Sequence, residues 1–196
     1  MNGPNNELIV STSTARPMRF LWAFVLAAFA VALLAGSALA ASGNLVKNGS
    51  FEKDSNGDGI PNLWDVNSLT STDKRVCNQS YIGSCSFRIV ADGTVKTLKQ
   101  TAFGAGLLGD QFTISAWTKG KDIINGGGAA QVVVQIDHTG GGTSFETLDL
   151  PEGNSAWTHS EATVTAAADY SIVRVYLYVN PDSGKAWFDK VKLVGP

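Results

Sequence analysis

Positive charge is not in excess in this chain. Lys and Arg number 15 against 17 Asp and Glu, a formal net charge of −2 over 196 residues. Nothing in that balance is basic enough to suggest nucleic-acid binding. Amphipathic helical periodicity is absent, and so is any internal repeat. Glycine runs at Gly126–Gly128 and Gly140–Gly142 precede no helical pattern, so neither is a phosphate cradle. Cysteine is reduced to two residues, Cys77 and Cys85. Only one long apolar run occurs, Phe20–Ala35.

That run follows Arg16 and Arg19 and ends before Ala38-Leu39-Ala40, a small-x-small cleavage pattern. This is the layout of a secretory signal peptide over residues 1–40. The polar stretch ahead of Pro17 is long for such a leader, and translation from Met18 would give a leader of ordinary form. An uncleaved signal anchor is the alternative, and it would be the chain's only route into a membrane. Ser37 stands where a lipidated cysteine would be, so no lipid anchor is expected. Cleavage leaves one exported domain over residues 41–196, large enough for a substantial core. In an oxidising compartment the two cysteines are expected to pair, around a short loop holding Tyr81-Ile82-Gly83; two buried thiols are the alternative.

The exported part reads as short β-branched and aromatic runs separated by Gly, Asn, Asp and Ser. Strands are expected at Leu45–Glu52, Arg75–Cys77, Cys85–Ala91, Val95–Thr101, Gln111–Lys119, Ala130–Asp137, Ser144–Leu150, Trp157–Thr165, Ser171–Val179 and Ala186–Leu193. Ten short strands predict an all-β fold, a sandwich or barrel. Alternation assigns faces in three of them. Phe112, Ile114 and Ala116 share one side, and Trp117 lies on the other. Val132, Val134 and Ile136 are set against Gln135. Val173, Val175, Leu177 and Val179 are set against Arg174, Tyr176 and Tyr178.

Asp54–Asp65 carries oxygen at alternate positions. Asp54, Asn56 and Asp58 precede Gly59, and the Ile60 carbonyl, Asn62 and Asp65 complete a spacing that suits Ca²⁺. Asp65 replaces the usual Glu, and no helices flank the loop, so it is not an EF-hand. It looks like the calcium loops of dockerins and thrombospondin type 3 repeats. An Asn/Asp/Gly turn without metal is the plain alternative.

NLVKNGSFE, SFRIV, FTISAWTKG, Trp157 and GKAWFDKVKL, in that order, resemble secreted carbohydrate-binding modules. The closest are galactose-binding-like jelly rolls of families four and nine. The resemblance spans nearly all of residues 44–194 and implies a jelly-roll β-sandwich of two antiparallel sheets. It also implies a structural calcium tying the opening stretch to the closing strand, through Glu52, Asp189 and a Ser50 carbonyl. Its implied partner is a polysaccharide or cell-surface glycan, bound outside the cell on an aromatic sheet face. Trp117, Tyr176 and Tyr178 would stack on sugar rings there, while Arg174 and Gln135 fix hydroxyls. An adhesive or envelope module without a sugar site is the second reading. A polysaccharide-degrading enzyme is the third. Gln135-Ile136-Asp137-His138 is similar to the Gln-Ile-His strand of alginate lyases, but Asp137 is inserted and the companion motifs are missing.

Overall fold

The computed structural model describes residues 43–196; the leader expected over residues 1–40 lies outside them. Ten strands follow in order: β1 (Asp65–Asn67), β2 (Lys74–Val76), β3 (Ser86–Ala91), β4 (Lys96–Phe103), β5 (Gln111–Ile124), β6 (Ala130–His138), β7 (Thr143–Asp149), β8 (Gly153–Thr165), β9 (Tyr170–Val179) and β10 (Ser183–Val194). They form two five-stranded sheets, ordered β1-β4-β9-β6-β7 and β2-β3-β10-β5-β8. Every pairing is antiparallel.

The alternating side chains explain why the sheets close on each other. Phe112, Ile114 and Ala116 of β5, Val132, Val134 and Ile136 of β6, and Val173, Val175, Leu177 and Val179 of β9 are all fully buried. The β6 and β9 faces meet across the sandwich with that of β5 and with Phe87, Ile89 and Phe188 of the same sheet as β5. Removing such surfaces from water is the main favourable term in folding.

The expected first strand, Leu45–Glu52, is corrected: that stretch is a chain of turns. Asn48 and Phe51 have φ of 52° and 57°, and neither angle fits an extended strand. The segment is nevertheless fastened to both sheets. Leu45 donates its N–H to the Leu193 carbonyl at 2.9 Å, and the Gly49 carbonyl accepts from Val191 at 2.8 Å. Asn44 adds a side-chain clasp, accepting from Leu193 N–H and donating to the Val191 carbonyl. On the other side, Gln100 of β4 accepts from Lys47 N–H and donates to the Lys47 and Leu63 carbonyls. Phe51 then sits between Trp64 and Phe87, with ring centroids 5.5 and 5.9 Å away.

Cys77 and Cys85 are joined, closing the loop that carries Tyr81. Mass spectrometry of exported protein, alkylated without reduction, should find the two cysteine peptides linked and an N-terminus at or near Ala41. Two alkylated thiols would refute the bond, and a retained leader would refute the cleavage.

Candidate functional site

β9 lies at the centre of its sheet, so its outward side chains occupy the middle of an open face. Alternation sends Arg174, Tyr176 and Tyr178 outward, each half-buried by its neighbours. The register sets one row across the strands at each. Tyr176 lies between Lys99 of β4 and Val133 of β6, Tyr178 between Thr97 and Gln131, and Arg174 between Thr101 and Gln135. A groove of about 480 Å³ runs over this face, lined by Val66, Asn67, Thr97, Lys99, Val133, Gln135, Tyr176 and Tyr178. Four of the five sugar-site residues expected from sequence, Gln135, Arg174, Tyr176 and Tyr178, are thus brought together.

The polar end of the row is organised by Asp137. It forms an ion pair with Arg174 and accepts from Gln135 Nε2 at 2.6 Å. A guanidinium has five donors, so Arg174 can hold Asp137 and still present N–H groups outward. Phe145 of β7 pairs with Gln135 and is 63% exposed, extending the row with a bare aromatic ring. Asp137, Phe145 and Lys99 were missed as site residues in the sequence. Phe145 had a usable signal, since alternation along β7 puts it on the side away from Leu148.

Trp117 does not join this face, which corrects the expected single cluster. It belongs to β5, in the other sheet, and points to the opposite outer surface. There the disulfide loop folds over it, and Tyr81 stacks on its indole at 3.4 Å between centroids and 11° between planes. His159 of β8 flanks the same ring at 5.3 Å. Alternation gives the side of a strand but not the sheet to which the strand belongs.

The two carboxylates expected to bridge the chain's ends meet at that loop. Asp189, fully buried on β10, accepts from Tyr81 and Ile82 N–H through Oδ2, and from Lys190 N–H through Oδ1. Glu52 Oε1 accepts from Ser84 and Cys85 N–H at 2.9 and 3.1 Å. Gly83 is pressed so closely on Glu52 that a Cβ there would collide with the carboxylate. Burial raises the pKa of Asp189; the three backbone donors oppose that rise, and the negative charge of Glu52 adds to it. Among the described residues no ion pair reaches either carboxylate. The Arg75 guanidinium nearby donates to the Phe51 and Glu52 carbonyls rather than to either carboxylate, and two close anions without an ion-paired side chain fit a divalent cation with oxygen ligands.

The Asp54 loop is arranged differently. Asp54 accepts from Gly57 and Gly59 N–H, and Asp58 accepts from Ile60 N–H and the Asn56 amide. Asn62 turns to Ser55, and Asp65 starts β1 opposite Lys99. No group of three or more His, Cys, Asp or Glu converges as a metal cluster among the described residues.

The two histidines are far apart in role. His138 Nε2 meets Ser144 Oγ at 2.9 Å, and that oxygen also accepts from Ala167 N–H, which fastens a turn. His159 lies on the other sheet.

No family model matches the chain. No curated protein matches it either. Among solved structures it is similar to a family 16 carbohydrate-binding module, at 20% identity and a TM-score of 0.60 over 77% of this chain and 99% of that one. It is also similar to TmCBM61 in complex with β-1,4-galactotriose, at 15% identity and a TM-score of 0.53, over 78% and 98%. A third is a cyclase from Fischerella sp. TAU, at 14% identity and 0.56, over 80% and 98%. The chain therefore has the jelly-roll β-sandwich fold of carbohydrate-binding modules. No helix among the described residues is long and apolar enough to cross a membrane.

Proposed function

We propose that this is a secreted, non-catalytic carbohydrate-binding module that takes a polysaccharide or oligosaccharide chain along the outer face of the β1-β4-β9-β6-β7 sheet. The observation that carries the reading is the groove over β9, where Tyr176 and Tyr178 stand side by side among Lys99, Gln135 and Thr97. Flat apolar sugar faces stack on phenol rings, and hydroxyls find donors and acceptors at the groove's rim. An open groove suits an extended chain better than a single small molecule. Export is supported by the leader pattern and by the Cys77–Cys85 bond. A non-catalytic role is supported by the likeness in fold to carbohydrate-binding modules.

Calcium belongs to the same reading as a structural ion. Glu52 and Asp189 would hold it with backbone oxygens of the clasp, and the Asp54–Asp65 loop is a second candidate position. The ion supplies charge neutralisation and nothing chemical to the groove.

Affinity electrophoresis through gels of candidate polysaccharides tests the groove. Tyr176→Ala and Tyr178→Ala should each weaken retention by about tenfold or more, because stacking sites lose affinity chiefly with their aromatic platforms. Circular dichroism should be unchanged. Folded variants that are retained like the wild type would sink the proposal.

A further inference from the structure

We propose a second binding site on the opposite sheet, built for an acidic sugar. It is a compact cleft of about 240 Å³, lined by Ser115, Trp117, His159, Glu161, Lys190 and Lys192. None of these is used by the groove over β9, which lies on the other side of the sandwich.

The cleft is made by an irregularity in β10. Its register with β5 passes from Asp189 opposite Trp117 to Lys192 opposite Ser115, so β10 carries an extra residue there. A bulge of this kind re-aims the side chains around it and is over-represented at functional sites. Lys190 takes up the distortion with φ of 50°, in the left-handed region that lysine seldom adopts. A strained non-glycine residue is a place where a fold holds a side chain for a purpose. The result is two lysines on one outer surface, beside an indole, where unbroken alternation from the buried Phe188 would turn both toward the core.

Both lysines are exposed, and neither forms an ion pair among the described residues. Glu161 lies across Ser115 from Lys192 in the same row, and His159 lies across Trp117 from Asp189. Asp189 itself accepts from the Tyr81–Ile82 amides and does not line the cleft. The chemistry of this set is specific. Two ammonium groups attract a carboxylate, as charge-assisted hydrogen bonds do. Glu161 would repel a bare inorganic anion, but it accepts from sugar hydroxyls. Trp117, with one indole face taken by Tyr81, offers the sugar ring the apolar surface it still presents to the cleft. A uronic acid residue offers a carboxylate, hydroxyls and an apolar face together. The chain's formal charge of −2 gives no general attraction to a polyanion, so such binding has to be local.

The test is affinity electrophoresis in polygalacturonate, with methyl-esterified polygalacturonate as the uncharged comparison. Wild type should be retarded by the acid form and little by the ester, with retardation falling as salt screens the lysines. Lys190→Asn with Lys192→Gln should weaken binding to the acid form by about tenfold or more, asparagine being among the side chains that best tolerate the left-handed region. Lys121→Gln with Lys185→Gln removes the same charge elsewhere on the sheet and should bind like wild type. Tyr176→Ala with Tyr178→Ala should also bind the acid form normally, which separates this site from the groove. In wild type, digalacturonate should shift the Trp117 indole N–H resonance, a readout that needs no variant. The proposal is overturned by an unretarded wild type, by a folded Lys190→Asn/Lys192→Gln variant that binds normally, by a control that loses as much as that variant, or by an unmoved Trp117 signal.

Discussion

Replacing Lys96 by Met will cost the fold about 3 kcal/mol or more, the cost of leaving a buried charge without its partner. Lys96 is 1% exposed, yet it carries an ammonium group inside the sandwich. That group meets Asp73 at 3.1 Å and Asp92 at 2.8 Å, and donates to the Val90 carbonyl. Burial pulls the lysine's pKa down, but the hydrogen bonds and charges of Asp92 and Asp73 outweigh it and hold the value above the ordinary 10.5. Methionine fills the space and leaves Asp73 buried. Asp73 still accepts from Thr70 and Val90, so the single variant will fold but melt early in urea. Adding Asp73→Asn should recover part of the loss, since the pair is coupled. A Lys96→Met variant as stable as wild type would show that the network contributes nothing. Acid gives a second view. The Lys96 and Thr94 hydrogen bonds lower the Asp92 pKa from 3.8 to about 2. Its contribution is complete above the ordinary carboxylate value and is lost as pH falls between those two values. The Lys96 contribution is complete below 10.5 and is lost as pH rises past its raised value.

Under the structural role proposed for it, added calcium should raise the melting temperature. At free Ca²⁺ one hundred times its dissociation constant, linkage to a single site gives about 2.7 kcal/mol. Glu52→Gln keeps the side chain's shape and its acceptor oxygen for Ser84 and Cys85, so the metal-free variant should melt close to metal-free wild type. It should no longer respond to the ion. Asp58→Ala separates the Asp54 loop: a loop site would lose its response in this variant and keep it in Glu52→Gln. Elemental analysis after EDTA must first establish that the starting protein is metal-free. A metal-free protein whose melting ignores added calcium would end both positions.

The fold was legible wherever strands alternate cleanly. Val132, Val134 and Ile136, and the four apolar positions of β9, are inward in the structure as their spacing implies. Alternation is local, however, and sheet membership is not. Trp117 was correctly placed on the outer side of its strand, but the pairing that takes β5 to β10 and β8 involves residues far along the chain. The Leu45–Glu52 stretch has apolar residues at plausible places, while the turns at Asn48 and Phe51 are imposed by Trp64, Gln100 and β10. β1 has three residues, all exposed, and no pattern could reveal it. Lys96 looks like an ordinary surface lysine until Asp73 and Asp92 are brought to it. In the groove, the tyrosines were readable from one strand, and alternation gave the sides of Phe145 and Asp137; that these two meet Gln135 and Arg174 came only through the register of β7 and β9 against β6.

The last strand among the described residues is not at an edge. β10 lies between β3 and β5, and the Asn44 clasp on it joins residues 149 positions apart in sequence. While the chain is still emerging, the β2-β3-β10-β5-β8 sheet lacks its middle member, and the opening segment has nothing to grip. Productive pairing of this sheet must therefore wait for β10 rather than proceed strand by strand along the domain. Topologies dominated by such distant pairings fold slowly, on the order of milliseconds to seconds. Export through a narrow translocation channel, as proposed above, would make this delay useful: the strand order itself keeps the domain open until β10 has passed through.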